Sequence, residues 1–368
     1  MNKNYFPELN SLRGFAALWV MAFHVWVMLG EPELNVGFGE WGVSLANFFS
    51  VGWAGVDIFF TLSAFLLTLP FAQWQLENAT KPRLGIYFTR RVLRIFPAYY
   101  LQLFILLFIA FCFGIGRELN FYELCTHLVL WFFPTPPLNG VWWTLPIEFG
   151  FYLMLPILSY LLRPKRWVVL TIVAVTTTWS YRIAAYQWTA DLPIANRVNV
   201  IEQLPGHLDQ FVIGMIAAYA LTALRSRSST LSGNVIGFLF FLGLVGFIIM
   251  CWWIIKLKDI YWNGSLLLVF WHTIVSVSIS LVLFSISWRK FFAKKIFNNK
   301  IFYYFGNISF GIYLWHLPIL IWILPLLSGI SDTEVRFLSG MTLTLVCSMV
   351  AAHISYQYIE RPCLNLKK

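Results

Sequence analysis

Ten runs of close to twenty apolar residues constrain this chain more than any other feature. They fall at about 11–29, 50–72, 95–115, 146–162, 167–187, 206–224, 234–255, 264–287, 304–327 and 335–358. A run of that length crosses the hydrocarbon core of a bilayer as an α-helix, which satisfies its backbone hydrogen bonds internally where no water can. The composition agrees: 59% of residues are hydrophobic and 11% charged, whereas soluble domains carry about 25% charged residues. The chain is expected to be an all-α integral membrane protein of about ten transmembrane helices, forming one domain over residues 1–368. The apolar segment 121–133 is too short to cross and is expected to be an interfacial or re-entrant helix. The first run, followed by "GEPEL" without a small-residue cleavage site, is expected to stay in place as a signal anchor.

The net charge of +10 is explained by topology. With the N-terminus in the cytoplasm and sides alternating, twenty of the 26 Lys and Arg lie inside, from Lys3 and Arg13 through the clusters at 90–94 and 289–300 to Lys368. Six, namely Arg117, Arg182, Arg197, Lys256, Lys258 and Arg336, fall outside or within spans. That asymmetry follows the positive-inside rule and predicts both termini cytoplasmic, in the plasma (inner) membrane. No nucleic-acid partner is needed to account for the basic residues.

Against this apolar background, ionisable residues inside spans stand out, because burying them in a bilayer is costly. The first run, "SLRGFAALWVMAFHVWVML", carries Arg13 and His24. Eleven residues are three helical turns plus roughly 20°, so the two share a face about 16 Å apart along the axis. Ala16, Ala17 and Val20 lie between them on that face, leaving a groove for a neighbouring helix or an extended ligand. The second run, "GWAGVDIFFTLSAFLLT", opens with Asp57, at a depth similar to His24, where a carboxylate can orient an imidazole and raise its basicity. "GVWWTLPIEFGFYLMLP" sets Glu148 beneath Trp142 and Trp143, and "FGNISFGIYLWHLPI" sets His316 near mid-membrane. Trp143 and His316 are candidate substrate contacts, His316 equally a packing or hydrogen-bonding residue. "YFTRRVLRIFPAYY" holds Arg90, Arg91 and Arg94, guanidinium groups suited to a multiply charged phosphate. "LPGHLDQFVIGM" adds His207 and Asp209, and "YQYIERPC" adds Glu360 and Arg361, read as an interfacial pair.

Other chemistries lack their signatures. The cysteines at 112, 125, 251, 347 and 363 form no CxxC pair. There is no GxSxG elbow, no P-loop and no HExxH-type helical site, so no metal is expected. One rival from a different class remains: a proton-coupled transporter or flippase using His24, Asp57 and Glu148 as a relay. No inverted repeat favours it.

Taken in order, "LRGFAALWVMAFH", "GVDIFFTLSAFLL", "RRVLRIFPAYY", "WWTLPIEFGFYLMLP", "FGNISFGIYLWHLP" and "YIERP" resemble the membrane-bound acyltransferase-3 family. The resemblance implies about ten helices and transfer of an acyl group, commonly acetyl from acetyl-CoA, to a hydroxyl of an extracytoplasmic carbohydrate or lipid-linked glycan. It implies Arg13 and His24 for the family's Arg-x10-His pair, Arg91 and Arg94 for its Arg-x-x-Arg element, and Glu148 for the acid of its fourth span. One departure is visible: Ser63-Ala64-Phe65 stands where the family commonly has Ser-Gly-Phe. The expected mechanism has acyl-CoA phosphates held by Arg13, Arg91 and Arg94, with the pantetheine arm beside Ala17 and Val20. His24, oriented by Asp57 or Glu148, then acts as general base or carries the acyl group itself.

Overall fold

The computed structural model describes residues 6–38, 41–133, 135–163, 166–227, 231–288, 291 and 294–366. Lys3, Lys165, Arg289, Lys290, Lys367 and Lys368, which enter the charge count above, lie outside the described residues.

Ten helices among the described residues are long and apolar enough to cross a membrane. They are α1 Pro7–Met28, α2 Gly55–Leu76, α3 Leu84–Phe113, α4 Thr144–Leu161 and α5 Trp167–Thr189. The remaining five are α6 Leu208–Ser226, α7 Gly233–Tyr261, α8 Leu266–Ser287, α9 Ser309–Leu327 and α10 Thr333–Ser355. The protein is thus a multi-pass membrane protein whose helices match the ten apolar runs. Their ends follow local chemistry. Ser232, Ser265 and Asp332 each cap the backbone at the start of α7, α8 and α10. α3 starts at Leu84, well before the predicted 95, so Arg90, Arg91 and Arg94 are helical. Arginine is a good helix former, and hydropathy marks where a helix meets lipid rather than where it begins. The 121–133 segment contains the short helix Phe121–Leu128, closed by a capping box between Asn120 and Glu123. A two-stranded antiparallel ribbon, Asn35–Phe38 with Trp41–Ser44, is the one strand pairing among the described residues.

The chain divides into two compact units. The first comprises Met1–Arg13, Val56–Phe88 and Ile147–Tyr303. Here Gly214 of α6 meets α2 so closely that an added Cβ would stand 2.5 Å from the Thr61 carbonyl oxygen and 3.0 Å from the Ala64 methyl. The methyl that Ala64 adds to the family pattern is therefore received by a glycine on the facing helix. Pro156 in α4 has no N–H for the carbonyl four residues back, Tyr152, and the Tyr87 hydroxyl donates to that oxygen at 3.0 Å instead.

The second unit comprises Gly14–Gly55, Thr89–Pro146 and Tyr304–Lys368. The face of α1 that read as a groove is filled. A Cβ on Gly55 would lie 2.7 Å from both the Ala16 carbonyl oxygen and the Val20 side chain, and one on Gly52 would lie 2.5 Å from the Trp19 carbonyl oxygen. Ala16, Ala17 and Val20 are buried. The sequence left a helix or a ligand as the occupant; glycine-mediated backbone contact fills the face at Ala16 and Val20, so the pantetheine track expected beside Ala17 and Val20 is corrected.

The same unit repeats the proline logic. Pro318 in α9 strips the Leu314 carbonyl of its helical donor, and the side-chain amides of Gln102 and Asn139 donate to it at 2.7 and 2.9 Å. The Trp142 indole N–H donates to Gln102 Oε1 at 2.7 Å, closing the cluster.

One loop of this unit should respond to pH. The His127 ring accepts from the Leu138 backbone N–H at Nε2, 2.9 Å away, and its Nδ1–H donates to the Glu123 carbonyl at 2.7 Å, an arrangement that only the neutral ring makes. Burial holds its pKa below the ordinary value, with Arg117 adding to the effect. A folded-state pKa below the unfolded one means this contribution is complete above about pH 6.5 and is lost as pH falls below it. Hydrogen exchange at the Leu138 amide should therefore accelerate on acidification relative to the intrinsic rate; a pH-independent protection factor would refute this.

Candidate functional site

In the second unit, two histidines from α1 and α9 meet. His316 Nε2 lies 3.1 Å from His24 Nδ1, with ring centroids 5.0 Å apart. Each ring also faces a backbone carbonyl one turn back on its own helix: His24 Nδ1 is 2.9 Å from the Val20 oxygen, and His316 Nδ1 is 2.9 Å from the Ile312 oxygen. A carbonyl oxygen only accepts, so both Nδ1 atoms carry hydrogen. Neutral His316 then presents a bare Nε2, and the His24 Nδ1–H is shared between Val20 O and that nitrogen. The consequence is a fixed tautomer for His24, with Nε2 left as a proton acceptor. His24 is half-buried, whereas His316 is fully buried. His316, expected from the sequence to contact substrate, has no exposed surface and faces His24 through Nε2.

α3 contributes the basic residues of this unit. Arg90 is exposed, and Arg91 and Arg94 are half-buried. Arg94 Nη1 donates to Glu360 Oε2 at 3.3 Å, and its guanidinium stacks over Phe310 at 5.4 Å. Glu360 ends a π-turn, Tyr356–Glu360, and is buried. The predicted Glu360–Arg361 pair is therefore corrected: Glu360 binds Arg94, and Arg361 donates to Gln357 at 3.1 Å. Trp143, at the end of the 3₁₀ turn Gly140–Trp143, is half-exposed.

In the first unit, Glu148 accepts from Ser63 Oγ at 3.2 Å and from the Tyr152 hydroxyl, both at Oε1. Arg13, at the end of this unit's first segment, is half-exposed. Asp57 is buried, and its partners come from α6 and α8. His272 Nδ1–H donates to Asp57 Oδ1 at 2.6 Å, the Trp271 indole to Oδ2 at 3.3 Å, and the Gln210 amide to Oδ1. Depth along a span suggested His24 as the imidazole beside Asp57; the structure supplies His272.

Beyond His272 the network continues to Glu202. The Arg182 guanidinium donates to both Glu202 oxygens at 2.9 and 3.1 Å, and to the carbonyls of Gly206 and Leu268 at 2.9 and 3.1 Å. His207 Nε2 lies 2.6 Å from Glu202 Oε2. Burial pushes the Glu202 carboxyl up, but Arg182 and then His207 more than reverse this and hold it well below the usual carboxylate range.

Sequence reasoning singled out neither His272, Glu202 nor Gln210. His272 was detectable, since it interrupts "LLLVFWHTIVS" as an ionisable residue inside a span. Glu202 and Gln210 sit where a helix end or loop explains polarity on its own.

The model of a family described as an acyltransferase domain, Acyl_transf_3, matches residues 6–353. A protein of Acidianus two-tailed virus that carries a provisional acetyltransferase name is 28% identical over 86% of this chain and 84% of its own length. The peptidoglycan O-acetyltransferase OatA of Listeria monocytogenes is 25% identical over 98% of this chain, and a provisionally named O-acetyltransferase of Staphylococcus aureus is 21% identical over 97%. The chain spans only 56% and 57% of those two bacterial relatives. No solved structure matches.

Proposed function

The chain belongs to the acyltransferase-3 family and is an acyltransferase, and from that premise we propose that it moves acetyl from cytoplasmic acetyl-CoA to a hydroxyl of an extracytoplasmic carbohydrate. The carrying observation is the pinned tautomer of His24. In the proposed step, the acceptor hydroxyl gives its proton to His24 Nε2 as its oxygen attacks the thioester carbonyl. The C–S bond breaks, and the proton passes to the departing CoA thiolate. His316 acts as a positioning residue, accepting from His24 Nδ1–H. Glu148 is proposed as the carboxylate of the reaction on the strength of the family motif, with Ser63 and Tyr152 fixing its orientation.

The donor's phosphates are proposed to meet the basic end of α3. The residues proposed for this are Arg90, Arg91 and Arg94, the last also paired with Glu360, with Arg13 as a further candidate. Replacing Arg90 and Arg91 together by alanine should raise the KM for acetyl-CoA about tenfold or more, each charge-assisted phosphate contact being worth roughly 1.5–3 kcal/mol. An unchanged KM would leave these arginines to membrane topology alone. An acidic polysaccharide is not required by this reading; Trp143 offers an aromatic surface for a sugar ring. With the N-terminus inside, that surface would face outward.

The direct test uses purified full-length protein in detergent with labelled acetyl-CoA and a panel of hydroxyl-bearing glycans. Acceptor-dependent release of CoA thiol with label recovered on the glycan is expected. Stable thioester across the panel would overturn the proposed donor and acceptor.

A further inference from the structure

Three acceptor atoms converge in the first unit where the acyl-transfer proposal makes no use of them. Glu202, His207 and His272 are all buried, and one ligating atom from each lies within 4.8 Å of the others. They come from three places in the chain: Glu202 follows the short helix Ile194–Ile201, His207 closes the turn Leu204–His207 ahead of α6, and His272 stands in α8. A search for i, i+4 ligands along one helix cannot see such a set, which is why none was expected.

The outer contacts of the two rings fix which nitrogens point inward. His272 Nδ1 lies between Asp57 Oδ1 at 2.6 Å and the Gln210 amide nitrogen at 2.7 Å, and His207 Nδ1 stands 3.3 Å from Gln210 Oε1. Both rings therefore turn Nε2 toward Glu202 Oε2, at 2.6 Å from His207 and 3.9 Å from His272. His272 Nε2 is buried and has no hydrogen-bond donor or acceptor among the described residues. At 2.6 Å the His207–Glu202 contact needs a proton or a cation between its two atoms, while His272 Nε2, 3.9 Å from the same oxygen, has neither. The charge count points the same way. Asp57, Asp209 and Glu202 bring three buried carboxylates to this network against the single guanidinium of Arg182. Two protons or one divalent cation would balance it.

We propose that Glu202, His207 and His272 bind one divalent transition-metal ion of zinc type, with Asp57 and Gln210 orienting the two imidazoles from behind. Two imidazoles and a carboxylate suit zinc, and a carboxylate behind a metal-bound histidine is the usual outer partner. Tetrahedral bonds of about 2.0–2.1 Å set ligand atoms roughly 3.3 Å apart, a spacing that lies between the 2.6 and 3.9 Å observed. Arg182 neutralises Glu202 from the side away from the histidines. The ion ties the start of α6 to α8 and to the segment before it, and the inference stands apart from the acyl-transfer reading.

The test measures metal in the full-length protein, purified in detergent through a tag without histidines, then stripped with a chelator and titrated with zinc or cobalt. About one equivalent per chain is expected to bind, with a higher melting temperature and, for cobalt, the visible absorption of a tetrahedral site. Asp57→Asn should weaken the affinity about 10–100-fold, and His207→Gln/His272→Gln should abolish it. Should the double variant fail to fold, wild-type stoichiometry and Asp57→Asn decide the matter. Absence of uptake by the wild type, or equal affinity in Asp57→Asn, overturns the site and leaves protonated histidines to balance the charge.

Discussion

His24→Gln should lower the rate of acetyl transfer by about two to four orders of magnitude, the contribution usual for a positioned general base, with little change in the KM for acetyl-CoA. Glutamine fills a similar volume and can still donate to the Val20 carbonyl and to His316 Nε2, so the contact between α1 and α9 persists. What it lacks is a nitrogen lone pair at the place of Nε2. The loss therefore reports proton abstraction and not packing, provided that expression and the far-ultraviolet circular dichroism are unchanged. His316→Leu separates orientation from chemistry. It should cost about tenfold in kcat, with a changed pH–rate profile, because the His24 Nδ1–H is then held by the Val20 carbonyl alone while His24 keeps its own base. If His24 carries the acetyl group covalently, wild-type protein mixed with labelled acetyl-CoA and no acceptor should release a stoichiometric burst of thiol, and His24→Gln should release none. Wild-type turnover in His24→Gln would sink both routes.

The sequence disclosed depth far better than neighbours. Counting along a span places Asp57, Glu148 and His316 inside the bilayer, because apolar length measures distance from the interface, and the described helices carry all three within spans. Which helix each faces is decided by packing that composition does not encode. Depth paired Asp57 with His24, whereas the histidine that contacts Asp57 is His272, contributed by α8 more than two hundred residues away. The groove on α1 was legible as small side chains, but its occupant depended on Gly52 and Gly55, whose meaning emerges only when the backbone approaches to within van der Waals contact. The Pro318 site was partly legible: a proline inside a span announces a stripped carbonyl four residues earlier, at Leu314. That Gln102 and Asn139 would answer it could not be read, since one is a lone polar residue inside α3 and the other the residue before the turn Gly140–Trp143.

Arg182→Met should be among the most destabilising single substitutions in the chain, costing about 3–5 kcal/mol, the range found when one partner of a buried ion pair is removed. In the sequence Arg182 is a basic residue inside the run 167–187; in the structure the guanidinium has no exposed surface, and its donors reach the Glu202 carboxylate and two backbone carbonyls. Methionine restores most of the volume but leaves Glu202 ionised beside His207 alone and strips Gly206 and Leu268 of their donors. The measurement is the unfolding midpoint in detergent with a chelator present, so that no cation stands in for the lost guanidinium. Glu202→Gln in the same background removes the uncompensated charge and should recover part of the loss, which makes the pair strongly non-additive. Additive effects of the two substitutions, or an unchanged midpoint in Arg182→Met, would mean that the guanidinium and the carboxylate reach water in the membrane-embedded protein, and that α5 is held by its apolar contacts alone.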